Sequence, residues 1–111
     1  MATRPFLLIL ISITFLAPAN AAAWVAGDTC AKVRRVAEWD FLYIRSRPDY
    51  RSSAVGAIDP STERRIVVNG ECLPKGASDK KAWCPVSYFV SEKTAVTGYV
   101  KKYYITITDC S

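Results

Sequence analysis

The fold is decided by the stretch Leu42-Tyr43-Ile44-Arg45-Ser46-Arg47-Pro48. Its apolar residues alternate with Tyr43 and Arg45, which is the two-residue period of a strand with one buried face. Pro48 then fixes its own φ and removes a backbone donor, and Asp49 completes a Pro-Asp turn signal. The stretch therefore predicts a strand that runs into a fixed turn.

Further strand-like segments follow at intervals of roughly ten residues, a spacing typical of small β domains. They comprise residues 54–58, 65–68, 83–88 and 98–100, with residues 104–105 after the last. Pro85 cannot donate a hydrogen bond to a neighbouring strand, so it favours an edge position or a bulge for the strand that contains it. The whole pattern predicts an all-β domain.

In their order, these segments resemble the bacterial Src-homology-three (SH3b) domains. The running pattern of that family is LxVRSGP, a V-x-G-x-L strand, an apolar strand, a W-x-x-V strand, and G-W-V followed by S-Y-L. The resemblance covers about residues 41–106 and implies a small SH3-like barrel of about five to seven short strands. Arg47 stands where the family usually has glycine, and Tyr99 replaces the usual tryptophan.

The first residues have the composition of a secretory signal peptide. A basic residue precedes an uncharged apolar run at residues 6–16, which is too short to span a bilayer comfortably. Ala19-Asn20-Ala21 offers an A-x-A cleavage pattern, and cleavage after Ala23 is the close alternative. We therefore expect a signal peptide at residues 1–21, and an SH3b-like domain at residues 22–111 that is periplasmic or secreted without a membrane anchor.

Four cysteines in an exported chain are naturally interpreted as two disulfides, for which three connectivities are possible. A metal-binding or catalytic role suits them less well, because the chain has no histidine and no C-x-x-C pair. The resemblance to SH3b domains favours Cys72 with Cys84 and Cys30 with Cys110. We expect no metal and no cofactor.

The chain carries 15 basic and 10 acidic side chains, and its formal net charge of +5 suits an anionic partner. In an exported setting the candidates are carboxylates of the cell wall, acidic lipid headgroups or an acidic protein, whereas export argues against nucleic acid. The positive residues can also be ordinary solvated surface. The length left after signal removal suits a single domain, which we expect to be a monomer.

Catalysis is not predicted. The absence of histidine removes the commonest general base and every triad that depends on it. No G-x-S-x-G, P-loop or dinucleotide-binding pattern occurs. Glu38 and Asp40 are close in sequence, but two acidic residues on one short segment are usually just solvated. The sequence therefore indicates a binding protein without catalytic residues.

Aromatic side chains are the best candidates for a binding surface. Tyr43 and Arg45 point away from the core if the apolar residues beside them point inward. Aromatic rings offer a large, rigid contact area with a polar tip, as peptide and sugar recognition requires. The resemblance places a groove between the first loop and the loop from Cys72 to Cys84. The predicted ligand-binding residues are Tyr43, Arg45, Tyr50, Tyr88, Tyr99 and Tyr103.

These assignments have structural alternatives. Tyrosines are common at half-buried strand positions, and Trp83 is expected in the core. Arg45, by resemblance, more readily organises the turn than contacts a ligand. Trp39 and Phe41 share one face of an extended chain, so they too are expected to help seal the core.

Two functions remain open. Members of the SH3b family are thought to bind cell-wall peptides or short protein segments, which implies a module that contacts peptidoglycan stem peptides. The alternative is an adaptor or inhibitor that binds another exported protein, a role suited to small disulfide-linked domains with exposed loops. The lysine-rich loop at residues 71–82 is the feature that would serve this second role.

Overall fold

The structure, a computed structural model, describes residues 29–110 of the chain. The predicted signal peptide and its cleavage site lie outside the described residues. Within residues 29–110, no helix is long and apolar enough to cross a membrane. The strands are β1 Thr29–Val33, β2 Leu42–Arg45, β3 Ala54–Ile58, β4 Ile66–Val68, β5 Trp83–Phe89, β6 Ala95–Lys101 and β7 Ile105–Asp109, with a 3₁₀ helix at Lys102–Tyr104.

All seven strands belong to one antiparallel sheet in the order β3-β2-β6-β5-β4-β1-β7. Every strand contributes at least one buried side chain to a single apolar cluster. A sheet buries one face against itself only if it curls, so the strands wrap around this core. The predicted all-β class, the number of strands and the two disulfides are confirmed.

β2 is the strand predicted by the stretch at residues 42–48. Its side chains alternate between buried and accessible positions, as the two-residue period requires. β2 pairs along its length with β3 and crosses β6 where Arg45 lies opposite Tyr99. Gly98 permits this crossing, because a Cβ atom there would lie 2.5 Å from the carbonyl oxygen of Arg45.

All four cysteines form disulfides, Cys30 with Cys110 and Cys72 with Cys84, which is the pairing that the family resemblance implied. The first bridge joins β1 to the residue after β7, and these two strands pair along their whole length. The second bridge closes the loop before β5. Within that loop, Leu73 and Trp83 exchange two backbone hydrogen bonds of 2.7 Å, so its base is fixed.

Pro85 lies in β5, which runs between β4 and β6 in the interior of the sheet. The expected edge position or bulge is therefore wrong, and the register between β5 and β6 is regular. The missing N–H is tolerated because β4 ends at Val68, which lies opposite Val86. Pro85 lies one position beyond this last pair, so no residue of β4 needs its N–H. The carbonyl oxygen of Pro85 still accepts a hydrogen bond of 2.8 Å from the Asn69 N–H.

Trp39 and Phe41 do not seal the core. Trp39 is 83% exposed and Phe41 is 46% exposed. The segment between β1 and β2 is irregular rather than extended, and a backbone hydrogen bond from the Asp40 N–H to the Ala37 carbonyl marks a turn within it. The two-residue period does not apply in a turn, which is why the expected shared inward face is wrong.

Candidate functional site

Trp83 lies on the outer face of the sheet, the face turned away from the apolar core. In β5 the inward-facing residues are Cys84, Val86 and Tyr88, so the strand alternation places Trp83 outside. Trp83 is nevertheless only 9% exposed. Trp83 is thus buried, as expected, but it lies outside the apolar cluster that the inward-facing residues form, and residues on the outer face cover it.

Tyr50 and Lys101 are two of the residues that cover Trp83. The ring centroids of Tyr50 and Trp83 are 6.4 Å apart, and the ring planes are inclined by 42°. The Nζ atom of Lys101 lies 5.1 Å from the Trp83 ring centroid and 5.3 Å from that of Tyr50. Lys101 is directly opposite Trp83 in the pairing of β5 with β6, so the register of the sheet sets this cation–π contact.

The loop at residues 46–53 carries Tyr50, and Ser52 holds this loop together. Ser52 is 5% exposed; its Oγ accepts a hydrogen bond of 3.1 Å from the Arg47 N–H and lies 2.6 Å from the Asp49 carbonyl oxygen, to which it can donate. The Arg45 guanidinium donates to the Ser52 carbonyl at 3.4 Å, so Arg45 contributes to the organisation of the turn. The loop needs no positive φ at Arg47, where SH3b domains usually carry glycine.

The segment after β1 and the 3₁₀ helix form the opposite wall. The Arg34 N–H donates to the Tyr104 carbonyl at 2.8 Å, which fixes the segment against the helix. Arg35 donates from Nη1 to the Tyr103 carbonyl at 3.1 Å, and its guanidinium carbon lies 4.4 Å from the Tyr103 ring centroid. Lys80, from the disulfide-closed loop, places its Nζ atom 5.5 Å from the same centroid.

Between these walls runs a cavity of about 630 Å³, which we call the aromatic–basic groove. Its lining combines six aromatic residues with four basic residues and one carboxylate. Aromatic faces supply rigid stacking area, and the excess of cations favours an anionic ligand. The aromatic residues are Phe41, Tyr43, Tyr50, Trp83, Tyr103 and Tyr104; the charged residues are Arg35, Arg45, Lys80, Lys101 and Asp40.

A second cavity of about 630 Å³ lies beside the Cys30–Cys110 disulfide, among β1, the segment before β4 and the end of β7. No aromatic residue lines it, and its charges are mixed, with Lys32, Arg64 and Arg65 beside Glu63 and Asp109. The aromatic–basic groove is therefore the better candidate site.

Four of the predicted ligand-binding residues come together in the aromatic–basic groove. Tyr43 and Arg45 line it from β2, and the Arg45 guanidinium carbon lies 5.8 Å from the Tyr43 ring centroid. Tyr50 lines it from the first loop, and Tyr103 lines it from the 3₁₀ helix. The first loop contributes Tyr50 to the lining, and the Cys72–Cys84 loop contributes Lys80.

Tyr88 and Tyr99 do not reach this groove. Tyr88 faces inward from β5 and is 7% exposed, and its hydroxyl lies 3.0 Å from Thr62 Oγ1. The prediction that Tyr88 contacts a ligand is wrong, because the phase of β5 turns it into the core. Tyr99 is half-buried on the outer face, opposite Arg45 and Pro85, but it is not among the residues that line the groove.

Other groove residues were not predicted as ligand-binding. The run Lys101-Lys102-Tyr103-Tyr104 carried a usable signal, since two basic residues are followed directly by two aromatic residues. Arg35 gave no signal, because its place beside Tyr103 depends on a backbone conformation that the sequence does not reveal.

Comparison with known proteins identifies no relative. No family model matches the chain, and neither a curated protein nor a solved structure is significantly similar to it.

Proposed function

We propose that this protein is an exported, non-enzymatic binding module of the SH3b type, whose aromatic–basic groove holds peptidoglycan stem peptides. The observation that carries this proposal is the burial of Trp83 on the outer face of the sheet, beneath Tyr50 and Lys101. Tryptophan, tyrosine and arginine are enriched among the residues that carry most of the binding energy of an interface, and they cluster in well-packed pockets of this kind.

The composition of the groove favours a peptide that carries carboxylates. Its rings can pack against side chains and peptide planes, and they lose little conformational entropy because they are rigid. Four cations against one carboxylate make a surface that attracts anions before contact is made. Stem peptides are short, extended and rich in free carboxylates, so they match both properties.

The disulfides support the exported location. Cys30–Cys110 and Cys72–Cys84 fit an oxidising compartment, because disulfides rarely persist in the cytosol. A periplasmic or secreted protein meets peptidoglycan directly, so the proposed compartment and the proposed ligand agree.

A second candidate function is the adaptor or inhibitor that binds another exported protein. The loop closed by Cys72–Cys84 favours it, because a disulfide and the backbone pairing of Leu73 with Trp83 fix the loop while Leu73 stays 45% exposed. A fixed loop with an exposed apolar residue is suited to insertion into a partner.

Co-sedimentation with purified peptidoglycan sacculi tests the first function. The full chain is expressed with its own first residues so that it can be exported. The oxidised protein is then mixed with sacculi at low salt and at about 0.15 M salt. We expect binding that persists at the higher salt and that the double variant Tyr43→Ala, Tyr50→Ala loses. Trp39→Ala is the matched control, because Trp39 is an exposed aromatic residue outside the groove.

Loss of all binding at the higher salt would contradict this function, since it would leave only a nonspecific basic surface. A pull-down of exported proteins would then test the second function. Loss of that capture on removal of the Leu73 side chain, with the tyrosine variant unaffected, would establish the loop as the contact.

A further inference from the structure

One end of the aromatic–basic groove carries two basic side chains at a single ring. The Arg35 guanidinium carbon is 4.4 Å, and the Lys80 Nζ is 5.5 Å, from the Tyr103 ring centroid. We propose that Arg35, Lys80 and Tyr103 form a subsite for a free peptide carboxylate. This inference rests on the proposed function, because it names the group by which the groove would recognise its peptide.

The charges of this subsite are not neutralised within the described residues. Asp79, the residue before Lys80, pairs instead with Arg34 at 3.1 Å and with Lys102 at 3.5 Å. Neither Arg35 nor Lys80 forms an ion pair within residues 29–110. The single acidic residue of the groove lining, Asp40, also has no ion pair in that part of the chain. Two uncompensated cations therefore face the groove.

The Arg35 side chain is held ready to accept a carboxylate. Its Nη1 atom donates to the Tyr103 carbonyl at 3.1 Å, and its plane is positioned by the contact with the Tyr103 ring. The remaining N–H donors of a guanidinium match the two oxygens of a carboxylate. Lys80, a compact charge on a flexible stem, can approach the same anion from the disulfide-closed loop.

The backbone of Arg35 has an unusual conformation, which helps to place its guanidinium group at Tyr103. Arg35 has φ of +60°, in the left-handed region that residues with a Cβ atom rarely adopt. Arg34 and Arg35 both donate to the Tyr103 carbonyl, although successive side chains of a regular strand point to opposite faces. The left-handed turn after β1 brings both guanidinium groups to one side. Strained backbone of this kind clusters at binding sites.

The experiment compares two small soluble probes, the dipeptide N-acetylalanyl-alanine as the free acid and the same dipeptide as its carboxamide. NMR spectra of the oxidised protein are followed during titration with each. We expect saturable shifts of the Arg35 side-chain N–H and the Tyr103 backbone N–H with the free acid, and an affinity at least about tenfold weaker for the carboxamide. Equal shifts with both probes would overturn the proposal.

Charge variants locate the effect. Arg35→Gln and Lys80→Gln should each weaken the binding of the free acid about tenfold, and Lys80→Arg, which keeps the charge, should retain it. Arg64→Gln and Lys93→Gln remove the same charge from exposed positions outside the groove and should leave the affinity unchanged. Equal weakening by all four glutamine variants would overturn the subsite, because net charge alone would then explain the binding.

The outcome is separable from that of the proposed function. Selective binding of the free acid without binding to sacculi would contradict the cell-wall assignment and leave the carboxylate subsite in place. Binding to sacculi without any preference for the free acid would support the cell-wall assignment and overturn the subsite.

Discussion

The Tyr50 ring lies 6.4 Å from the Trp83 ring, centroid to centroid, and links the first loop to the outer face of β5. Lys101 of β6 approaches both rings, so one loop and two strands converge on a single point. Trp83 is thereby buried without joining the apolar cluster on the inner face. This convergence forms the floor of the aromatic–basic groove.

Replacing Tyr50 should weaken ligand binding with little effect on stability. Tyr50 is 66% exposed, so Tyr50→Ala removes little buried area, and we expect a change of less than about 1 kcal/mol in the free energy of unfolding. Affinity for soluble peptidoglycan fragments should fall about tenfold, because an aromatic contact of the groove is lost. Isothermal titration calorimetry and thermal unfolding measure the two effects.

Tyr99→Ala is the control for that experiment. It removes a tyrosine from the outer face that does not line the groove, so affinity should stay within about twofold of the original. A larger loss of affinity for Tyr99→Ala than for Tyr50→Ala would contradict the position of the groove.

Ser52→Ala should destabilise the loop that carries Tyr50. Ser52 is buried. Its hydroxyl accepts a hydrogen bond from the Arg47 N–H and can donate one to the Asp49 carbonyl. Leaving the Arg47 N–H unpaired costs about 1–3 kcal/mol, whereas the Asp49 carbonyl still accepts a hydrogen bond of 2.9 Å from the Ser52 N–H. Binding should weaken in parallel, because Tyr50 loses its support. Denaturant unfolding measures the first effect. The neighbouring change Ser53→Ala, at an exposed position, should have an effect below about 0.5 kcal/mol.

Gly98→Ala should disrupt the crossing of β2 and β6. The added Cβ atom would lie 2.5 Å from the Arg45 carbonyl oxygen and 2.6 Å from Ile44 Cγ2, and the backbone oxygen cannot move aside without displacing β2. We expect a loss of at least about 2–3 kcal/mol in the free energy of unfolding. Gly70→Ala is the matched control: the contact there, with Pro85 Cγ, is 3.8 Å, and similar destabilisation by both changes would contradict the close crossing.

The two disulfides should act differently on stability and on binding. Cys30–Cys110 spans 80 residues and Cys72–Cys84 spans 12, so on the chain-entropy model their loss costs about 4.5 and about 3 kcal/mol respectively. Paired changes to alanine, compared by denaturant unfolding, test this order. The short bridge borders the loop that carries Lys80, so its removal should weaken binding more than removal of the long bridge. Equal loss of affinity for two folded variants would argue against a role of this loop in the groove.

Local sequence signals were enough for the strands and part of the site. The alternation around Tyr43 and Arg45 predicted β2 and the accessibility of both side chains, because the period of a strand is a local property. The alternation in β5 likewise indicates that Trp83 faces outward, because it lies on the opposite face of the strand from Val86. Its burial could not be read from that alternation, since Tyr50 is distant in sequence.

Other features depend on contacts that no local pattern encodes. Pro85 fits an interior strand because β4 ends opposite its neighbour, a matter of register between strands far apart in sequence. Arg35 reaches Tyr103 through a left-handed backbone conformation that arginine rarely adopts, so propensity argued against it.

Chemical-shift mapping tests most directly whether the ligand binds in the aromatic–basic groove. Isotopically labelled, oxidised protein is titrated with soluble muropeptides at about 0.15 M salt. We predict saturable chemical-shift changes that centre on the indole N–H of Trp83 and on the backbone N–H groups of Tyr50 and Lys101. Shifts confined to the cavity beside Cys30–Cys110, or to the outer part of the Cys72–Cys84 loop, would contradict binding in this groove, as would the absence of any saturable shift.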